Sequence, residues 1–438
     1  MENSGPTTLS PRRCHPLSGL RILSLLLGMM GAGWAPAQAQ VEAESEIQAQ
    51  VQAKEKSEIQ AEVQAQAKLG LEVQVQAEAE SEIHAQVQAQ APAPAKLGLE
   101  APVQAQAPAK GDRYYLAHYN VENLFDTIDQ ADTEDGDFTP GGKLNWNAER
   151  LSAKMAKLTQ VVGELNRNQG PDLLGLCEVE NRGVIEQWLT SLKRTRKHYR
   201  IVHSESPDAR GIDVALIFDS NRMKLHSHTT AAVTLPGQPE WKTRDILCAR
   251  FHFGKDKPMF VLVNHWPSRR GGQEQTDPLR AAAARVARRL VDSLHHAYPG
   301  GVLVVMGDFN DRPADAAPLN VLQSGPVCRE GSATGMERAM NPSVLYNPFA
   351  EIDNGTSGSY RYKDAWQFID HISLSHRVCE KDSWVRYIPG SAASVSMPYL
   401  LQSEGKYAGY PFRTYGGENY LGGYSDHLPV KVELQITK

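Results

Sequence analysis

The sequence predicts a mixed α/β domain in which strands predominate and a few helices lie on the outside. Residues 302–306 form a continuous apolar run of the kind found in a buried strand. Residues 147–166 instead place leucine, methionine and valine three and four positions apart, as on one face of an amphipathic helix. Further strand-like runs with only occasional helices between them favour sheets that pack together with helices outside.

The predicted elements follow in chain order. Residues 114–121 form the first strand, the helix at 147–166 comes next, and a short apolar strand spans 172–177. Asn181 is placed to cap a second helix, and strands follow at 212–218 and 260–264. Asp277 and Pro278 predict the start of a third helix, with Asp as N-cap and Pro at N1. After the strand at 302–306, an alternating run at 428–434 predicts the last strand.

The first 39 residues have the layout of a secretory signal peptide. Arg12, Arg13 and Arg21 precede an apolar run at 22–34, and small residues follow it at 37–39. That run is shorter than the roughly 20 apolar residues that span a bilayer, so a short membrane anchor is the less favoured alternative. We therefore expect an exported protein, extracellular or periplasmic, with no stable membrane span in the mature chain.

Residues 40–110 have the composition of a low-complexity spacer. They are almost entirely alanine, glutamine, valine, glutamate and lysine, without aromatic residues or cysteine. Such a segment cannot build a core, so we expect a disordered spacer. Its internal copying, such as the Ala-Lys-Leu-Gly-Leu-Glu stretch at 67–72 and again at 95–100, leaves a weak coiled coil or a tethering role as alternatives.

Residues 111–438 form the expected catalytic domain, and 438 − 110 = 328 residues suffice for one large core. The formal net charge of −5 gives no overall basic signal for nucleic acid, so any such binding must depend on a local patch. Four cysteines remain after signal removal, at positions 177, 248, 328 and 379. Export permits disulfides, but their wide spacing leaves buried free thiols equally open.

Polar side chains stand at the end of one predicted strand after another. They are Asn120, Glu122, Glu178, His265, Asp308, Asn310, Asp370, Asp426 and His427. Any one of them alone is an ordinary solvated loop residue. Six strand ends each carry a carboxylate, amide or imidazole. Bringing these groups together would cost free energy unless a cation or a bound substrate compensated their charge. The set therefore predicts a metal site that cleaves phosphate esters.

The motifs that contain these residues resemble those of the endonuclease/exonuclease/phosphatase superfamily over about residues 113–436. They are Tyr-Asn-Val-Glu-Asn, Leu-Cys-Glu-Val-Glu-Asn, Asn-His-Trp-Pro-Ser, Gly-Asp-Phe-Asn-Asp, Ile-Asp-His-Ile and Ser-Asp-His, in that order. In style they are most similar to secreted bacterial nucleases of the group. The resemblance implies a four-layer α/β/β/α sandwich of two packed, mainly antiparallel sheets. Cys177 departs from it by standing where the family often has glutamine, which leaves the assignment of Glu178 intact.

The resemblance also implies a cation site. Glu178 would be the principal ligand of a divalent cation, with Asp426 and Glu122 completing or supporting the carboxylate set. Oxygen ligands suit Mg²⁺ best, with Mn²⁺ or Ca²⁺ as alternatives, and they suit Zn²⁺ poorly.

The remaining residues would act on water and phosphate. Asp308 would position or deprotonate the attacking water, while Asn310 and Asn120 would hold it and donate to phosphate oxygens. His427 would be the acid or base, oriented by Asp370, and His265 would be a second imidazole that contacts phosphate.

The substrate stays open, because this fold serves DNA, RNA, lipid and inositol phosphates. Nucleic acid is favoured, with Arg210, Arg269 and Arg270 as candidate phosphate contacts. The arginines at 280–289 are expected on the solvated face of the third helix. Apolar and aromatic stretches at 397–401 and 407–424 keep a lipid or inositol phosphoesterase as the alternative. An inactive binding protein on this scaffold is a third possibility, disfavoured because every motif position holds a competent residue. Protein partners are unknown.

Overall fold

A computed structural model describes residues 111–437, apart from positions 236, 239, 255–256 and 329–342. The predicted signal peptide and spacer therefore lie outside the described residues, and their boundaries stay predictions. None of the helices in the described part is long and apolar enough to cross a membrane.

Three helices and eighteen strands make up the described domain. The helices are α1 (Ala148–Asn168), α2 (Arg182–Leu189) and α3 (Gln273–Ala297). The strands are β1 (Asp112–Leu124), β2 (Leu173–Val179), β3 (Tyr199–His203), β4 (Asp213–Asp219), β5 (Lys224–Ala231), β6 (Ile246–His252), β7 (Pro258–His265), β8 (Val302–Asp308), β9 (Ser324–Gly325), β10 (Leu345–Tyr346), β11 (Tyr360–Tyr362), β12 (Ala365–Gln367), β13 (Asp370–Ser375), β14 (Val385–Tyr387), β15 (Ala393–Ser394), β16 (Tyr415–Gly416), β17 (Asn419–Tyr420) and β18 (Val430–Ile436).

The strands form two seven-stranded sheets and two small hairpins. The first sheet has the order β14-β18-β1-β2-β4-β3, with β15 also paired to β18. The second has the order β5-β6-β7-β8-β13-β10-β9, and the hairpins are β11-β12 and β16-β17. Within the sheets, β1-β2, β7-β8 and β9-β10 pair in parallel and the other pairs are antiparallel.

The two sheets pack face to face with helices on both outer sides. Leu116 and Leu216 of the first sheet share one buried core with Val261 and Val304 of the second. The other face of the first sheet buries α1 and α2, and the other face of the second buries α3. The alternation of β1 produces this division, because even-numbered residues such as Leu116 face the second sheet and odd-numbered ones such as Ala117 face α1. The four-layer α/β/β/α sandwich is confirmed.

The helix starts show where local sequence rules hold and where they fail. Asn147 caps α1 and Asn181 caps α2, each by accepting a backbone N–H three residues on. The predicted start of α3 at Asp277 is wrong, since that helix begins at Gln273 and contains Pro278. Pro278 is the sixth residue of α3, beyond its first turn, so it cannot supply the backbone N–H that the Glu274 carbonyl would accept in an uninterrupted helix.

Two arginines of α3 lie in the interior and not on a solvated face. Arg280 is fully buried and donates to Asp311 Oδ1 at 2.7 Å and to Thr276 Oγ1 at 2.7 Å. Arg288 donates to the backbone carbonyls of Leu322 and Ser343 at 2.8 and 2.9 Å. The expectation of a solvated face is therefore wrong for these two, because carbonyl and carboxylate partners compensate the burial of their charge.

The cysteines divide into one bridge and two thiols. Cys328 and Cys379 form a disulfide with 5.5 Å between their Cα atoms. Cys177 and Cys248 are free and buried.

Candidate active site

The strand ends named above meet at one edge of the sandwich. Asp308 ends β8, and its neighbours across the second sheet are His265 of β7 and Asp370 of β13, both in register with it. Asn120 of β1 is in register with Cys177 of β2, one residue before Glu178. Because the two sheets pack face to face, these side chains converge from both of them.

Bulges turn the site residues out of their strands. The β1-β2 register shifts between Asn120 and Leu124, and the β2-β4 register shifts between Cys177 and Val179. Glu122, Glu178 and Asn310 all have positive φ, at 50°, 62° and 51°. Such backbone is costly for residues other than glycine and clusters at functional sites, where it re-aims side chains.

Gly307 permits the close approach of β7 to β8 beside Asp308. A Cβ at this position would lie 2.0 Å from the backbone oxygen of Asn264. Only glycine fits there, which accounts for the glycine of the Gly-Asp-Phe-Asn-Asp motif.

Asp370 and His427 form a buried acid-imidazole pair. His427 Nδ1 lies 2.6 Å from Asp370 Oδ2, and the His427 backbone N–H donates to Ser425 Oγ at 3.1 Å. Burial alone would lower the pKa of His427, but the Asp370 carboxylate raises it well above its usual value. His427 is thus held protonated, with Nε2 pointing away from its partner.

A second imidazole, His118, contacts the same carboxylate from the other side. Its Nε2 lies 3.2 Å from Asp370 Oδ1, and the side chain is fully buried on β1. Burial would raise the pKa of Asp370, but His427 and the hydrogen bond from His118 together lower it. Our sequence reasoning missed His118, although it stands two residues before Asn120 and so on the same face of the strand.

Asp308 lies opposite Asp370 on the neighbouring strand and accepts a hydrogen bond on each carboxylate oxygen. Its Oδ2 accepts a hydrogen bond from Asn120 Nδ2 at 3.1 Å, and its Oδ1 accepts one from the Asn310 backbone N–H at 2.9 Å. Burial, and then repulsion from Asp370, raise the pKa of Asp308 to about 7. A carboxyl group with that pKa can both take and release a proton near neutral pH.

Two imidazole nitrogens approach the same oxygen of Asp308 that Asn120 bonds. His265 Nε2 lies 3.7 Å and His427 Nε2 lies 3.9 Å from Asp308 Oδ2. Burial, followed by the charges of Arg244 and Arg210, lowers the pKa of His265 well below its usual value. A neutral His265 and a protonated His427 therefore lie side by side next to Asp308.

A hydrogen bond from its side chain holds Asn310 in place. Its Nδ2 donates to the Trp266 carbonyl at 3.0 Å. Its amide donors are therefore partly used within the protein, and its main contact with Asp308 is through the backbone N–H.

The three predicted metal ligands are in different surroundings. Glu178 is partly exposed, accepts the Asn123 N–H at 3.0 Å and lies 3.9 Å from His265 Nε2. Asp426 is partly exposed and pairs with Arg413 at 2.6 Å.

Glu122 is more deeply enclosed than the other two. Its Oε2 accepts the Thr414 backbone N–H at 2.6 Å and lies 3.9 Å from the buried Lys154 Nζ. Burial and the Asp426 charge raise the pKa of Glu122 to about 7. Glu122 is therefore already bonded within the protein.

Two groups of side chains in the described residues place metal-binding atoms within 4.8 Å of one another. One is Asp308, Asp370 and His427, which are all buried. The other is His203, Glu205 and Asp213, in which His203 already bonds Asp213 at 2.9 Å. Glu178, Asp426 and Glu122 do not form such a group with their side chains as they stand.

The candidate phosphate-binding arginines differ in their exposure and in how many hydrogen bonds they make within the protein. Arg269 is held by the Asn310 carbonyl and by Asp315, to which it donates at 2.8 Å. Arg270 is exposed at the surface, and the side chain of Arg210 is half exposed, 3.5 Å from Asp208. Sequence reasoning missed Arg244, which is buried and donates to Asp208 and to the Trp266 carbonyl at 2.9 and 2.8 Å.

A family model described as the Endonuclease/Exonuclease/phosphatase family matches residues 115–436. The chain belongs to this family. Members of the endonuclease/exonuclease/phosphatase family typically use a divalent metal. The chain is accordingly a phosphoesterase of that family with a buried Asp-Asp-His group.

Solved structures of the same family are similar to the chain at low identity. TDP2 from C. elegans is 15% identical with a TM-score of 0.44, covering 74% of this chain and 75% of that one. The human Nocturnin catalytic domain with bound sulfate is 17% identical with a TM-score of 0.44, covering 74% and 95%. A family protein from Bacteroides thetaiotaomicron is 15% identical with a TM-score of 0.44, covering 75% and 99%. No curated protein matches the chain.

Proposed function

We propose that the protein is a secreted, divalent-metal-dependent phosphodiesterase, and that it is a nuclease that hydrolyses DNA or RNA. The observation that carries this proposal is the convergence of Asp308, His265 and His427, in which the two imidazole Nε2 atoms lie 3.7 and 3.9 Å from Asp308 Oδ2. A phosphodiester with its attacking water needs a proton acceptor on one side and donors to the phosphoryl oxygens on the other.

A divalent cation completes the proposed site. Glu178 and Asp426 offer partly exposed carboxylate oxygens, which is the donor chemistry that Mg²⁺ prefers. We assign these two as its ligands, with Glu122 as their buried support. When bound, the cation would offset the negative charge that builds on the phosphoryl oxygens.

The first proton transfer falls to Asp308. Its pKa of about 7 suits it to accept a proton from the attacking water. Asn120, which donates to it at 3.1 Å, fixes the carboxylate so that Oδ2 stays close to the two imidazoles.

The donors to phosphate are the two imidazoles. His427 is protonated because of Asp370, so its Nε2–H can bond a phosphoryl oxygen or supply a proton to the leaving oxygen. His265 is neutral, and its Nε2–H can donate without adding charge. Positioned proton transfer of this kind contributes roughly 10² to 10⁴ in rate.

The surroundings favour nucleic acid over a membrane lipid. In the loop at 397–401, Leu400 is buried and Met397, Tyr399 and Leu401 pack against the core on the α1 side. Those side chains are thus used within the fold and not presented to a bilayer. Arg210 and Arg270 remain exposed, and Arg210 lies near enough to His265 to lower its pKa, so a polynucleotide backbone would find positive charge there.

Export is supported by the Cys328–Cys379 disulfide, because such bonds persist in oxidising compartments. The sequence of the first 39 residues supports it independently.

The proposal is tested by incubating the purified chain with plasmid DNA, RNA, sphingomyelin and inositol phosphates, each with Mg²⁺, Mn²⁺ or Ca²⁺. We expect cleavage of DNA or RNA that a chelator abolishes. Cleavage of sphingomyelin or inositol phosphates alone would favour the alternative phosphoesterase. Nucleic-acid binding without cleavage of any substrate would favour an inactive binding protein.

A further inference from the structure

The β11-β12 hairpin presents two different faces. Its strands pair Tyr360 with Gln367 and Tyr362 with Ala365, and Lys363 and Asp364 form the turn with positive φ values of 45° and 67°. Side chains alternate along a strand, so Tyr360, Tyr362, Ala365 and Gln367 share one face. Arg361 and Trp366 share the other.

The Arg361 face is braced by the loop that contains Tyr410. Arg361 donates to the Gly409 carbonyl at 2.9 Å, and its guanidinium lies 4.7 Å from the Tyr410 ring centre. At the turn, the Asp364 N–H donates to Tyr410 Oη at 2.8 Å. The hairpin is therefore a supported element.

The opposite face of the hairpin lies against His427, the proposed acid or base. The Tyr360 ring centre lies 4.9 Å from that of His427. Gln367 on the same face accepts a hydrogen bond from Arg269 at 3.1 Å, and Arg269 in turn holds the Asn310 carbonyl.

Tyr362 continues this face outwards from the site. It follows Tyr360 by two residues, or about 7 Å along a strand. Its side chain is 53% exposed, among the most exposed of the large hydrophobic residues that the structure describes. Lys363 Nζ lies 5.3 Å from its ring centre, which places a cation next to the free aromatic face. Nothing in the packing of the hairpin requires a large aromatic residue here.

We propose that Tyr362 is a stacking platform for an unpaired base of a single-stranded nucleic acid, one step out from the scissile phosphate, with Lys363 beside the adjoining phosphate. The inference rests on the proposed nuclease function and defines its substrate. Aromatic stacking suits single strands because every base has a π face, whereas bases within a duplex are already stacked on each other. An inositol or lipid headgroup offers no such face.

The test measures binding of a short fluorescent oligothymidylate to the full chain by anisotropy, in an Asp308→Asn background that prevents cleavage. Tyr362→Ala should weaken binding by about tenfold, within the range that stacking of one base contributes. Tyr362→Phe should bind nearly as well as the parent, because it keeps the ring. A duplex of the same length should lose far less than the single strand.

Tyr407 supplies a matched control. It is 50% exposed, and Lys406 Nζ lies 5.4 Å from its ring centre, but it packs on Tyr410 in the loop that braces the other face. Tyr407→Ala should leave binding unchanged.

Three results would overturn the proposal, and they are distinguishable. If the Asp308→Asn parent binds the oligonucleotide and the Tyr362→Ala variant binds it equally well, the stacking platform is wrong while the nuclease proposal stands. If the Asp308→Asn parent binds no nucleic acid and the unsubstituted chain cleaves none, both proposals fail. An equal loss on single strand and duplex would also reject base stacking, and would make the surface a backbone contact.

Discussion

Asp308 and Asp370 lie directly opposite each other on β8 and β13, yet the fold shifts their pKa values in opposite directions. Asp370 is bonded by His427 at 2.6 Å and by His118 at 3.2 Å, which hold it ionised despite its burial. Asp308 has no such pair of imidazoles within hydrogen-bonding distance, and its pKa rises to about 7. One carboxyl group is thereby held ionised and the other can exchange a proton near neutral pH, a division that follows from environment alone.

Asp370 and His427 should act as a unit. Asp370→Asn and His427→Ala should each lower kcat by roughly 10² or more, since each removes the same oriented proton donor. The double variant should be scarcely worse than His427→Ala, because groups that act together are not additive. Steady-state kinetics of the three variants checks this.

Cation affinity should survive in both single variants, as measured by calorimetry. Loss of affinity in Asp370→Asn, or kinetic losses that simply multiply, would make Asp370 a direct metal ligand instead.

Glu178 should be the principal ligand of the cation. Glu178→Gln should weaken Mg²⁺ binding by at least about tenfold and reduce turnover in parallel, because the site loses its principal charged ligand. Glu186→Gln is the control, since Glu186 is exposed on α2 and pairs only with Arg182 in the described contacts. Calorimetry and a chelator titration of activity provide the measurement. Unchanged Mg²⁺ affinity in Glu178→Gln would remove Glu178 from the site.

His118 should act through Asp370. His118→Leu removes a buried hydrogen bond to the carboxylate that orients His427, so kcat should fall by about tenfold or more. His118→Gln keeps a side-chain N–H and should recover most of that loss. KM should not change in either variant, because His118 is fully buried and does not reach substrate.

Thermal denaturation of both His118 variants separates positioning from folding. If the leucine variant lost activity only in proportion to its unfolded fraction, His118 would be structural.

His371 should make stability depend on pH. Burial lowers the pKa of His371 to about 3, while an unfolded histidine titrates near its usual value of about 6.5. Between these values the unfolded chain binds a proton that the folded chain does not. Stability due to His371 is therefore complete above about pH 6.5 and is lost as pH falls, by up to about 1.4 kcal/mol per pH unit.

Urea unfolding of the parent and of His371→Phe at pH 7 and pH 5 checks this. Phenylalanine keeps the stack on Phe309, whose ring centre lies 4.0 Å from that of His371, but cannot titrate. The variant should lose less stability than the parent between the two pH values. Equal losses would show that His371 does not remain neutral in the folded state.

The sequence was sufficient for the layered fold and the family because both depend on local patterns. Asp308 and His265 each follow an apolar run directly, so a strand end and its polar residue are visible together. Their convergence follows from the pairing of strand ends. The roles of the individual residues stay predictions.

Other features depend on partners far along the chain. His118 lies inside an apolar strand, and its carboxylate partner is 252 residues away. Arg280 falls on a helix whose polar spacing favours solvent, and only the fold brings Asp311 to it. The start of α3 was misplaced because an Asp-Pro pair fits a helix start equally well one turn further on.

The Cys328–Cys379 bridge spans 51 residues of sequence, and the enclosed segment contains Asp370 and the β11-β12 hairpin. A single break of the backbone between the two cysteines would therefore leave both fragments covalently joined. The piece with Glu178, His265 and Asp308 would stay tethered to the piece with His427. A sample nicked by protease within this segment should migrate as one band without reductant and as two with it, so such a cut alone would not separate the two pieces.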